Sequence, residues 1–356
     1  MEVAIITDTH FGVRNDNIAF MDMTKKFLDN IFFPEIDKRG IKHVIHLGDL
    51  FDRRKMTNTM TVNRLRTDFI QPILNREIEY HQVIGNHDTY YKNTNEPNAP
   101  EEFYSNLFPI YKWATDIEIG DAKILLVPWI CDKNRKHSIE TIKTSYARVC
   151  MGHLELEGFD MYRGSVNTHG DDPSLFDRFP LTLSGHYHHK SRKGSIAYLG
   201  SHGQFTWSDY GDDRGFHILD LETLDLKFIK NPYEMFRKLF YSDSDVGSIE
   251  QLLRTQDWTK YSGTLCKVII QSKTNPYWFD LFCEQLEKVG PLDIQIVEDH
   301  LNMDTGNDFE IISEAESTLD IFKKHIEQLD SSTVNTKKLE SVITNLYNKA
   351  ISMGVE

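Results

Sequence analysis

Five short polar motifs stand where apolar runs end: Asp8-Thr9-His10, Gly48-Asp49-Leu50-Phe51-Asp52, Gly85-Asn86-His87-Asp88, Gly152-His153 and Gly185-His186-Tyr187-His188. Their donors are carboxylates, an amide and imidazoles, without thiolate, a set that suits Mn, Fe or Zn. Asp8, His10, Asp49, Asn86, His153, His186 and His188 supply seven ligands, enough for two ions that share a bridge. Two cations about 4 Å apart repel unless an anion lies between them, so one carboxylate must bridge. Asp49 is the candidate: it follows a strand closely and comes after Gly48, which permits close backbone approach. Such a pair would neutralise phosphate oxygens and lower the pKa of a bridging water, the chemistry of phosphodiester hydrolysis. A single Gly-His is as readily a structural histidine as a ligand. The ordered set of five is the specific signal.

The elements around these motifs predict how they meet. Val3 to Thr7, His43 to Leu47 and Gln82 to Ile84 read as buried strands, with helices over 18–39 and 59–77 between them. Gly40 ends the first helix. This βαβαβ order predicts a mostly parallel sheet, whose active site forms from loops at the carboxyl ends of the strands. Asp116 to Ile119 and Lys123 to Val127 flank a Gly120-Asp121 turn, Arg148 to Met151 and Leu181 to Leu183 are short strands, and residues 215–229 read as a hairpin. The fold class is therefore α/β, with two packed sheets and helices outside.

A boundary is expected near Asn231-Pro232, where the pattern restarts. Leu265 to Ile270, a helix over 277–288 and Ile294 to Val297 make a small α/β unit. Residues 299–309 read as an acidic linker, followed by helices at about 311–329 and 335–352. Leu339, Val342, Ile343, Leu346 and Ala350 form an apolar stripe on the second of these. The predicted domains are 1–231, 232–298 and 299–356.

The chain has 356 residues, 40% of them hydrophobic and 26% charged, an ordinary globular composition that argues against disorder or a disulfide scaffold. Lys and Arg number 40 and Asp and Glu 54, a net charge of −14. A chain this acidic should not hold nucleic acid by bulk charge; a phosphate substrate needs metal ions, a local basic patch or a basic partner. The four cysteines include no CxxC pair and are expected reduced, as in a cytosol. No signal peptide or membrane span is expected, because Asp8 interrupts the apolar start and no window reaches about 18 apolar residues.

Weaker signals compete with plain structural roles. Arg53, Arg54 and Lys55 are either phosphate contacts or a solvated loop. Arg64, Arg66 and Arg76 read as a solvated helix face. Tyr90, Tyr91 and Lys92 suit loop anchoring better than base stacking. Ser201-His202-Gly203-Gln204 and Asp212-Asp213-Arg214-Gly215 follow the last metal motif, and His202 is either a support for a ligand or part of an ordinary turn. Gly185 to Ser191 approaches a P-loop, but His189 replaces the Gly before Lys190, so no ATP binding by this chain is expected.

The ordered motifs resemble the calcineurin-like metallophosphoesterase superfamily and, within it, the SbcD-type DNA double-strand-break repair nucleases. The spacing, Leu126 to Trp129 (Leu-Val-Pro-Trp) and the tail are most similar to tailed-phage recombination endonuclease subunits. The resemblance implies a four-layer α/β/β/α metallophosphoesterase core, a small α/β capping domain and C-terminal helices. It implies two Mn²⁺, with Mg²⁺ or another divalent metal as a substitute. Asp8, His10, Asp49 and His188 would hold one ion, and Asp49, Asn86, His153 and His186 the other. His87 would face the scissile phosphate, and Asp88 would orient His87 by a hydrogen bond. Asp52 stands where some relatives carry a second active-site histidine, and is left as an orienting residue. The implied activity is 3′→5′ exonuclease action on duplex DNA and endonuclease action on single strands or hairpins, within an SbcCD-like complex in the cytoplasm. The C-terminal helices would dock an SbcC-like coiled-coil ATPase. A homodimer is also implied, with the aromatic-rich helix from Phe20 to Phe33 as one candidate contact surface. Two rivals stand beside this reading: a small-molecule phosphodiesterase or phosphatase with the same dimetal core, and a non-enzymatic scaffold that keeps a metal for stability.

Overall fold

In a computed structural model, residues 1–162, 165–244 and 246–298 are described. The acidic linker and the two helices expected over 299–356 lie outside the described residues.

Two six-stranded sheets form the core. In the first, Glu2–Ile6, His43–His46, Glu79–Val83 and Ile110–Tyr111 run parallel, and Gly215–Asp220 and Leu226–Lys230 complete one edge in antiparallel fashion. In the second, Ile196–Tyr198, Leu181–Ser184, Val149–Gly152 and Ala122–Val127 run parallel, with antiparallel Ser191–Lys193 and Thr115–Ile119 at the edges. Side chains alternate along each strand. Val3 and Ile5 therefore point into a core shared with Ile124, Leu126, Met151 and Leu183 of the second sheet. Ala4 and Ile6 point the other way, into a core made with the outer helices. Leu125, Val127 and Cys150 do the same on the far side, against Ile142, Phe176 and Phe179. The result is the expected α/β/β/α stack.

The first helical layer runs without a break through Ile18–Phe27, a wider π turn at Leu28–Phe32, and Phe33–Arg39. The Asn17 side chain accepts from the Ala19 N–H at 3.0 Å to start it, and Gly40, at φ 63°, ends it. Its aromatics correct one expectation. Phe20, Phe27, Phe32 and Phe33 are at most 4% exposed and packed within the chain's own body, so they are not a dimer contact surface. An aromatic run on an amphipathic helix serves the core at about 2–3 kcal/mol for each buried ring, and sequence alone does not separate that use from an interface.

A smaller parallel sheet, Phe236–Ser242, Leu265–Ser272 and Asp293–Glu298, packs its own core against helix Pro276–Val289. Its first strand was not anticipated, because Arg237 and Lys238 interrupt the apolar pattern. Gln204 Oε1 accepts from the N–H groups of Met235 and Phe236, both at 3.0 Å, where this sheet begins. Short elements at Ala99–Tyr104, Arg135–Thr144 and Ile196–Tyr198 also escaped the sequence pattern. No helix among the described residues is long and apolar enough to cross a membrane.

Candidate metal centre

Each of the five motifs begins within two residues of the carboxyl end of a central strand: Glu2–Ile6, His43–His46 and Glu79–Val83 in one sheet, Val149–Gly152 and Leu181–Ser184 in the other. The loops are laced together by backbone bonds. Asp8 N–H donates to Gly48 O and His10 N–H to Asp49 O, both at 3.1 Å, and Gly185 N–H donates to Gly152 O at 3.0 Å.

The backbone is strained where the donors sit. Asp8, His10, Asp49 and His186 all have positive φ, from 43° to 83°. Side-chain-bearing residues rarely hold this conformation, and a packed surround must enforce it. Two glycines make the convergence possible. Gly48 has φ 96°, and a Cβ there would lie 2.5 Å from His153 Nδ1. A Cβ on Gly85 would lie 2.2 Å from Asp49 Oδ1.

All seven expected ligands come together. Asp8, His10 and His188 form one group whose donor atoms lie within 4.8 Å of one another, and Asp49, His153 and His186 form another. Asp49 reaches both: its Oδ2 is 3.3 Å from His153 Nε2 and 3.8 Å from His10 Nε2. Asn86 Oδ1 joins the second group, 2.9 Å from His153 Nε2 and 2.8 Å from His186 Nδ1. The donor chemistry fits divalent ions. His153 Nδ1 lies 2.8 Å from the Leu47 carbonyl and donates to it, which turns the Nε2 lone pair toward the oxygens of Asn86 and Asp49. His10 Nε2 and His188 Nε2 likewise face each other at 3.0 Å. Lone pairs converging in a buried site are what a cation satisfies.

Charge crowding shifts the proton affinities. Burial favours the neutral form of His153, but the Asp49 and Asp8 charges outweigh it and raise its pKa to about 9. Burial would also raise Asp49, yet His153 and His87 hold it well below the usual carboxylate range. His186 is pushed down to about 3 by burial and by the His153 charge.

The residues around the ligands take roles that differ in part from expectation. Asp88 is not hydrogen-bonded to His87. Its buried carboxylate accepts from the N–H groups of Gly85 and Asp49, both at 2.9 Å, and of Phe51 at 3.1 Å, so it staples two motif loops together. Burial and the Asp49 charge raise its pKa to about 7. His87 is positioned instead by the Asp52 carbonyl, 2.6 Å from its Nδ1, and by Asp49 Oδ1, which accepts from its backbone N–H at 2.7 Å. The Asp52 carboxylate turns to His10, with Oδ1 3.3 Å from Nδ1.

Arg53 pairs with Asp16. Arg54 is half-buried over the Trp129 ring, 5.3 Å from its centroid, and its Nη1 has no hydrogen-bond partner. Lys55 lies over Tyr90, whose ring is exposed. Arg64 is tied to Asp22 and Asp68, and Arg76 to Asp37, as a solvated face predicts. His202 lies against the backbone of Asp8, and its Nε2 is 3.2 Å from the Thr24 hydroxyl. Its ring packs on Phe205, which packs edge-on against His10 and His188.

Arg214 was missed as a determinant of the site. It is buried, salt-bridged to Asp209 at 2.8 Å, and donates to the His188 backbone carbonyl. An Arg directly after two Asp residues and just before a Gly-led strand was the available signal.

The family model described as calcineurin-like phosphoesterase matches residues 1–190. The chain is 34% identical to Exonuclease subunit 1 of Enterobacteria phage T4 over 246 residues, which is 68% of this chain and 71% of that protein. Among solved structures, an archaeal phosphodiesterase aligns at 12% identity and TM-score 0.33, over 65% of this chain and all of its own. The purple acid phosphatase PPD1 of yellow lupin aligns at 12% and 0.39, over 64% of this chain and 49% of its own. At those scores neither structure bears on substrate.

Proposed function

The chain belongs to the calcineurin-like phosphoesterases, metal-dependent hydrolases of phosphate esters, and on that premise we propose that it is a Mn²⁺-dependent DNA nuclease subunit. The observation that carries the proposal is the convergence of six donors around a shared Asp49, with His87 beside them. Asp8, His10, Asp49 and His188 hold one ion, and Asp49, Asn86, His153 and His186 the other. When bound, the two ions supply positive charge for the phosphate oxygens and an activated water. The protein's own residues do the rest. Gly48 and Gly85 let the loops close, and Asp88 and Arg214 fix them. His87 donates Nδ1–H to the Asp52 carbonyl, and when Nε2 also carries a proton that Nε2–H would steady the charge on the scissile phosphate and pass its proton to the leaving oxygen. Arg54, half-buried over Trp129 and near enough to Asp49 to feel its charge, is the cation proposed to face a flanking phosphate.

DNA is the substrate this reading favours, with 3′→5′ exonuclease action on duplexes and endonuclease action on single strands or hairpins. Likeness to a phage exonuclease subunit supports it. Likeness to a subunit of an exonuclease supports assembly with a partner; the proposal takes that partner to be an SbcC-like coiled-coil ATPase docked by the segment 299–356, and adds a homodimer and action in the cytoplasm of a host cell. The proposed division is a nuclease domain 1–231, a capping domain 232–298 and a docking tail.

The test is Mn²⁺-dependent nucleotide release from end-labelled linear duplex DNA by wild type and His87→Ala, with and without a coexpressed ATPase. Release by wild type alone, increased by the partner with ATP, is the expected result. Two bound metals without release in any condition would turn the assignment to a small phosphodiester.

A further inference from the structure

A second group of metal donors lies at the opposite end of the first sheet. His43 and Glu79 are register partners at the starts of neighbouring parallel strands, and His81 is two residues beyond Glu79 on the same face. His43 Nδ1 is 3.4 Å from Glu79 Oε2, and His81 Nε2 is 3.6 Å from Glu79 Oε1. Both ring nitrogens are buried and have no hydrogen-bond partner. His81 is 4% exposed and its ring stacks on Tyr111, with Nδ1 2.9 Å from the Tyr111 hydroxyl. That contact occupies Nδ1 and aims Nε2 at the carboxylate, as an orienting partner does for a ligating histidine. Glu79 itself is exposed, which opens the group to solvent.

We propose that His43, Glu79 and His81 bind one Zn²⁺-class divalent ion, separate from the candidate metal centre. Ligands about 2.1 Å from zinc in a tetrahedron stand about 3.4 Å from one another, close to the spacings present here. Two imidazoles and a carboxylate favour zinc over manganese. Three protein ligands leave the fourth position to water. From His43 to Asp49 is six residues, about 20 Å of extended chain, so this ion takes no part in chemistry at the other end of the strands. Its effect is to clamp the second and third strands of the sheet where they begin. The site stands whether or not DNA is the substrate.

The experiment uses the full chain, stripped with chelator, titrated with Zn²⁺ and desalted, with bound zinc counted by elemental analysis. Wild type should retain one equivalent more than either His43→Gln or Glu79→Gln. Both positions are accessible enough for these substitutions to leave the fold intact, and Mn²⁺-dependent hydrolysis should be unchanged in both. Equal zinc content in wild type and both variants overturns the proposal. An extra equivalent in a protein that cleaves no DNA supports this site and removes the nuclease reading instead.

Discussion

Asp49 is the residue on which most of the centre depends. Its side chain approaches His10 and His153, its Oδ1 holds the His87 N–H, and its own N–H is held by Asp88. Asp49→Ala should therefore lose both metals, measured as metal content after gel filtration, whereas His87→Ala should keep both and lose hydrolysis. Full turnover by His87→Ala would remove that residue from the chemistry. Asp88 separates frame from catalysis in the same way. Asp88→Ala leaves three buried N–H groups without an acceptor, which should cost about 3 kcal/mol or more in denaturant unfolding and weaken metal binding in parallel. A stable Asp88→Ala protein with normal metal content would contradict the stapling role. Asp88 was legible in the sequence as a member of its motif. Its role was not, because sequence order places it next to His87 while the fold turns it toward Gly85, Asp49 and Phe51.

At the scale of elements, the loops converge because central strands of both sheets run parallel and deliver their carboxyl ends to one side. Gly85→Ala tests how tightly they close. The added methyl meets Asp49 Oδ1 at 2.2 Å, so metal affinity in calorimetric titration should fall roughly tenfold or more. Unchanged affinity would mean that the loop gives way freely. Strand Gly215–Asp220 carries a different liability. Burial, with the Lys190 charge adding to it, lowers the pKa of His217 to about 3. Below about pH 6.5 the unfolded chain binds a proton at this ring that the folded chain refuses. The folded pKa is depressed for a base, so stability is full above pH 6.5 and falls by up to about 1.4 kcal/mol per unit as pH drops toward 3. His217→Gln should flatten that decline in urea titrations between about pH 6 and 4, and identical slopes would exclude His217 as its source. The main strands and both long helices were readable from periodicity. Phe236–Ser242 was not, since its Arg and Lys answer to a three-stranded sheet rather than to local alternation.

The whole molecule carries a charge of −14, and on the proposed nuclease reading a phosphate polymer would be drawn to it against that field. Chelation should accordingly abolish hydrolysis and also weaken DNA binding in fluorescence anisotropy, with Mn²⁺ restoring both. Undiminished binding after chelation would place the DNA contact away from the metal centre. The chemistry was open to sequence reading because donor types, their glycines and their places after apolar runs are local properties, written in consecutive residues. Which donors share an ion, which carboxylate braces the loops and what positions His87 rest on contacts between residues tens to hundreds of positions apart. The same limit explains the aromatic helix, whose rings were read as a surface and lie in the core, and Arg214, whose buried hold on the His188 carbonyl exists only once the strands have paired. Periodicity states that a face is apolar, and only packing states what covers it.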